Sequence, residues 1–125
     1  MPTAYATREF ARGARKQGID KEGLCEAVAR AEKGIIDADL RRGLIKQRVP
    51  RKGSGRRGGF RVLAAFRPRH RCVFLYSFAK NERENISGKE LDLWQKTAMG
   101  YLDISVEKLN ELVGAGELHE VRCDA

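Results

Sequence analysis

Residues 60–79 constrain the fold more than any other stretch. In Phe60–Phe66, the residues Phe60, Val62, Ala64 and Phe66 share one parity, while Arg61 falls with Leu63 and Ala65. Arg67-Pro68-Arg69-His70 then reads as a turn. From Arg71 to Ala79 the alternation resumes, with Val73, Leu75 and Ser77 opposite Cys72, Phe74, Tyr76 and Phe78. A period of two is that of a β-strand. Two such runs joined by a short turn are antiparallel neighbours. Leu44–Val49 supplies a third run, sending Leu44, Lys46 and Arg48 one way and Ile45, Gln47 and Val49 the other. The three are expected to form an antiparallel meander, apolar enough to be largely covered by helices.

The flanks supply those helices. Arg8–Lys16, with Phe10 and Ala14 at i and i+4, predicts a helix that turns on Gly18. Asp20 then reads as an N-cap with Glu22 in the first turn, where the helix dipole favours an acid. Leu24, Ala27, Val28 and Ala31 make one apolar stripe, and Gly34 suits the position just past the helix end. Thr3–Ala6 reads as a short edge strand. Ser87-Gly88-Lys89-Glu90 has the form of a capping box. Behind it Leu91, Trp94, Ala98 and Tyr101 fall at helical spacing, with a break expected around Gly100 and Asp103-Ile104-Ser105. Trp94 and Tyr101 lie on that apolar stripe and read as core. A last helix carries Val106, Leu109, Leu112 and Val113, ended by Gly114 and Gly116, and Glu117–Arg122 closes as a strand. The expected architecture is α+β: a small antiparallel meander sheet packed by an N-terminal helical hairpin and C-terminal helices. Residues 1–125 are expected to form a single domain.

Charge is segregated along this chain. Leu40–Lys80 holds 13 of the 25 Lys and Arg residues and none of the 17 Asp and Glu, so the remainder is net −5 although the whole is +8. A surface of that sign attracts polyanions and releases their counterions. No apolar run approaches the roughly 20 residues that span a bilayer. Met1-Pro2-Thr3-Ala4-Tyr5 lacks the pattern of a signal peptide, so a cytoplasmic protein without membrane association is expected. Cys25, Cys72 and Cys123 are widely spaced and contain no CxxC pair, which reads as three reduced thiols. His70 and His119 are the only histidines, so neither a metal site nor a cofactor is expected.

Within the basic third, Lys46 and Arg48 put two cations on one strand face. Arg51-Lys52-Gly53-Ser54-Gly55-Arg56-Arg57-Gly58-Gly59 is a glycine-rich loop whose amides and cations suit a phosphate. It is not a P-loop, because a GKS/T sequence is missing and a strand follows rather than a helix. Arg61 alternates away from the Phe60 face, toward the open surface expected for Lys46 and Arg48. Lys80 follows the third strand at its junction with a loop.

Ile36-Asp37-Ala38-Asp39-Leu40, Lys46-Gln47-Arg48-Val49, Gly55-Arg56-Arg57-Gly58-Gly59-Phe60-Arg61, Phe78–Ser87 and Gly116–Val121 together resemble the RelE superfamily, closest to its HigB-like branch of bacterial toxins. The resemblance implies ribosome-dependent cleavage of messenger RNA. It also implies neutralisation by an antitoxin, often a helix-turn-helix DNA-binding protein. Carried over by position, the active surface is Lys46, Arg48, Arg56, Arg61 and Lys80, with Arg51, Lys52 and Arg57 as further RNA contacts. The glycine loop departs from the family's more usual GKSGGYR. Arginine keeps the charge that lysine would bring but is not a plausible base, and Phe60 lacks a tyrosine hydroxyl.

A nuclease built on these residues would be metal-free and would use the RNA's own 2′-hydroxyl. Arg48 and Arg61 would stabilise the phosphorane by charge-assisted hydrogen bonds. Lys46 or Lys80 would be the base, since crowded like charge favours a neutral amine. Two other readings fit the same residues. A ParE-like poison of DNA gyrase would act through its C-terminal helices and leave RNA uncut. A catalytically degenerate RNA-binding module would bind with steep salt dependence and cut nothing.

Overall fold

The structure is a computed structural model that describes residues 2–50, 59–79 and 86–123. Ten elements follow in order: β1 (Thr3–Thr7), α1 (Arg8–Gln17), α2 (Lys21–Glu32), β2 (Ala38–Asp39), β3 (Leu44–Val49), β4 (Phe60–Arg67), β5 (Arg71–Ala79), α3 (Gly88–Asp103), α4 (Val106–Gly114) and β6 (Leu118–Val121). The strands form one six-stranded sheet in the order β2-β3-β4-β5-β1-β6. Neighbours are antiparallel except β1 and β5, which run parallel. The α+β architecture is the one expected, with the β3–β4–β5 meander at its centre.

The first strand is not an edge. β1 lies between β5 and β6, and Ala4, Tyr5, Ala6 and Thr7 are all buried. Its five residues carry no charge, so both faces can be covered, as an interior parallel strand must be. Local pattern cannot reveal that placement, because its partner β5 lies about 70 residues further along the chain.

Helices cover both faces. Thr7 caps α1 by accepting from the Phe10 N–H, and Gly18 ends it in the left-handed conformation, φ 75°. Asp20 caps α2 by accepting from the Gly23 N–H at 2.9 Å. Phe10 and Ala14, with the Leu24–Ala27–Val28–Ala31 stripe, pack on the sheet face formed by Ile45, Val49, Phe60, Val62, Ala64, Phe66 and Phe74. On the opposite face, Ala98 and Leu102 of α3 and Leu109 of α4 bury Leu44, Leu63, Ala65, Val73 and Leu75. Ser87 caps α3 and Ser105 caps α4, and α3 continues through Gly100 to Asp103.

Two further expectations need correction. A bulge in β5 shifts the register, so that Leu63 opposes Tyr76 while Ala64 opposes Phe74, leaving Leu75 without a partner. One extra residue reverses the parity of everything after it. Tyr76 and Phe78 therefore join the α3 face with Val73, whereas Ser77 turns to the α1 side and meets the Gln17 side chain. Secondly, Cys25 and Cys123 are not free thiols. They form a disulfide with a Cα–Cα distance of 5.3 Å across a sequence separation of 98. α2 and the segment after β6 are brought together only by the tertiary fold, so nothing in the local sequence announces the pairing. Cys72 remains a free thiol, and complete burial pushes its pKa up to about 12.

Candidate active site

The meander carries three of the expected cations onto one face. Lys46 and Arg48 stand on β3, and Arg61 stands on β4 directly opposite Arg48. Their register is fixed by burial on the reverse side, where Val49, Phe60 and Val62 are at most 3% exposed. α3 covers the part of this face around Leu44, Leu63 and Ala65. Beyond it, Lys46 and Arg61 are half-buried and Arg48 is exposed.

The Arg48–Arg61 pairing is of the close kind. The Arg48 N–H donates to Asp37 Oδ2 at 2.6 Å, and the Arg48 carbonyl accepts from Arg30 Nη2. Both backbone groups thus point away from β4, which makes Arg48 and Arg61 a non-hydrogen-bonded pair with Cα atoms about 4.5 Å apart. Like charges directly opposite one another in this way destabilise a sheet. Among the described residues, Arg61 Nη1 is also buried and has no hydrogen-bond partner. A buried unpaired donor costs roughly 1–3 kcal/mol, more when charged. An anion seated between the two guanidiniums would remove both penalties at once.

The wall of the site is aromatic. Phe78 opposes Arg61 across the β4–β5 ladder, its ring centroid is 5.9 Å from that of Tyr76, and Tyr76 stacks on Trp94 of α3 at 5.3 Å. These rings displace water and lower the local dielectric, which strengthens any anion contact made by Arg61. Their presence here was hidden from the sequence by the bulge, which the alternation alone does not signal.

The remaining basic residues of the central third divide. Arg51, Lys52, Arg56, Arg57 and Lys80 lie outside the described residues. Pro50 and Gly59 bound the first four, and Ala79, which opposes Phe60, precedes Lys80. Arg41, Arg42, Arg67, Arg69 and Arg71 stand at the other end of the strands. Arg61 and Arg67 are six residues apart on β4, about 20 Å. The described cations of the basic third therefore fall into two groups at opposite ends of the strands. Arg71, 4% exposed, donates to the carbonyls of Tyr101, Leu102 and Ile104 at the C-terminal end of α3. Arg67 binds Asp103 and the Leu102 carbonyl. His70 sits in the exposed β4–β5 turn at that far end, and His119 is exposed on β6. Among the described residues, no three His, Cys, Asp or Glu side chains converge.

A family model describing the RelE toxin of the RelE / RelB toxin–antitoxin system matches residues 3–121. The chain belongs to the RelE toxin family. No curated protein matches the chain. The toxin role of this RelE family member brings an antitoxin partner with it. No helix among the described residues is long and apolar enough to cross a membrane.

Proposed function

We propose that this RelE family toxin is an endoribonuclease that cleaves messenger RNA on the ribosome. The observation that carries the reading is the opposed Arg48–Arg61 pair, with a buried guanidinium nitrogen that has no partner among the described residues. Such a pair is better matched to a phosphorane than to a ground-state phosphodiester, because the phosphorane carries more negative charge. Lys46 or Lys80 takes the proton of the RNA 2′-hydroxyl. The 2′-oxygen–phosphorus bond forms, the phosphorus–5′-oxygen bond breaks, and the leaving oxygen takes a proton. The products are a 2′,3′-cyclic phosphate and a 5′-hydroxyl. Arg51, Lys52, Arg56 and Arg57 contact the flanking phosphates. The ribosome orients the RNA, supplying the entropic advantage that a site with a weak base needs.

The series Lys46–Arg48, Gly58–Arg61 and Lys80–Glu82 supports a HigB-like assignment within the family. The +8 net charge suits an antitoxin with an acidic segment, carried by a helix-turn-helix DNA-binding protein. The cytoplasm is the compartment that holds the ribosomes this activity requires.

Mapping messenger RNA 5′ ends shortly after induction, wild type beside Arg61→Ala, tests the reading. New in-frame cuts in translated messages should appear in the wild type. They should fall about 10²–10³-fold in the variant, as when one transition-state donor is removed. Growth arrest without cuts overturns the proposal in favour of a gyrase-type poison. Neither arrest nor cuts would leave a binding module.

A further inference from the structure

Arg48 stands where β3 has no strand on its outer side. β2 pairs only Ala38 with Lys46 and Asp39 with Ile45, so the outer edge of β3 is bare two residues later. There, side chains replace the missing strand. Asp37 Oδ2 accepts the Arg48 N–H at 2.6 Å, and Arg30 Nη2 donates to the Arg48 carbonyl. Arg30 Nη1 also binds Asp37 Oδ2 at 3.2 Å, while its Nε binds Glu26 Oε1 at 3.1 Å. Asp37 is held in turn, since its own N–H donates to Gln47 Oε1 at 2.7 Å. Gln47 is 1% exposed, and its amide nitrogen donates to the carbonyls of Ala27 and Ile35. α2, the connector and β3 are thereby locked at two adjacent strand residues, Gln47 and Arg48.

We infer that Arg30 and Asp37 are positioning residues that hold Arg48 in register against Arg61. The inference rests on the reading of Arg48 as a phosphate-binding group. The site needs such a device. Two guanidiniums forced together tend to splay the strands that carry them, and Arg48 is the second-last residue of its strand, where ladders fray. A carboxylate on the N–H and a guanidinium on the carbonyl are charge-assisted contacts, roughly twice as strong as neutral ones. The Arg30 side chain is only 11% exposed and that of Asp37 26%, so salt screens the pair weakly. Cations placed this way keep their spacing before the RNA arrives, which is where a displacement of about 1 Å can cost 10²-fold in rate.

The test is single-turnover cleavage of messenger RNA on programmed ribosomes by the full chain, comparing Arg48→Ala, Asp37→Ala and the double variant. Asp37→Ala should lower the cleavage rate about 10–100-fold while changing the toxin concentration for half-maximal rate less than about twofold. In the double variant the rate should match that of Arg48→Ala alone, because the clamp acts only through Arg48. Asp37→Asn, which keeps an acceptor for the Arg48 N–H but loses the ion pair, should fall between wild type and Asp37→Ala. It also serves if the alanine variant fails to unfold cooperatively. If Arg48→Ala is inert but Asp37→Ala and Asp37→Asn cut like wild type, or the losses simply multiply, the clamp is overturned and the nuclease reading stands. If Arg48→Ala cuts like wild type, the role given to Arg48 falls, and the positioning role with it.

Discussion

Arginine does three different jobs in this chain, and only surroundings separate them. Among the described residues, Arg61 keeps an unpartnered nitrogen beside a second arginine, an arrangement suited to an anion. Arg30 spends its three nitrogens on Glu26, Asp37 and a backbone carbonyl. Arg71 is buried and gives its charge to the carbonyl end of α3, which favours a cation there. Replacing Arg71 by methionine keeps most of the packing but strands those carbonyls. The expected loss is about 3 kcal/mol of stability, from several lost bonds to a charged donor at roughly 1.5–3 kcal/mol each less partial rescue by water. Urea denaturation reads it as a lower midpoint with an unchanged slope. Cleavage chemistry should survive in the folded fraction, which separates this arginine from Arg61.

At the scale of elements, the proposed site depends on how β3, β5 and α3 meet. The β5 bulge brings Tyr76 and Phe78 to the cationic face, and Trp94 of α3 closes over Tyr76. At the far end of β3, Gly43 has φ 81°, and a Cβ there would lie 2.4 Å from Leu102 Cδ1. Gly43→Ala therefore combines a left-handed backbone cost with overpacking, each roughly 1–3 kcal/mol. A loss of about 2–4 kcal/mol is expected, with Leu102 forced out of place and α3 lifted from the sheet. Thermal unfolding and the fluorescence of Trp94, the only tryptophan, would both report it. Leu102→Ala in the Gly43→Ala background should give back part of the overpacking cost, a coupling that a double-mutant cycle measures directly.

For the whole molecule, the Cys25–Cys123 disulfide ties α2 to the segment beyond β6 across most of the chain. Closing a loop of that length restricts the unfolded state by about 4–5 kcal/mol in the chain-entropy account. Oxidised protein should therefore unfold at a higher denaturant concentration than protein kept in reductant. Cys25→Ser should match the reduced form and abolish the difference. In the oxidised protein, Cys72 should be the one remaining thiol and should resist alkylation at neutral pH until the fold opens, since burial raises its pKa to about 12. Under reducing conditions the pair is expected to be held as thiols, without the extra stability. By itself the sequence determined the α+β class, the caps at Asp20 and Ser87, the three strands of the meander and the common face of Lys46, Arg48 and Arg61, because each is written in a local period or a single capping residue. Only the tertiary structure decided the interior place of β1, the reversal of parity at Leu75, the splitting of the basic third, the Arg30–Asp37 grip on Arg48 and the Cys25–Cys123 bond. Those depend on contacts between segments distant along the chain, or on one unpaired residue that no alternation reveals.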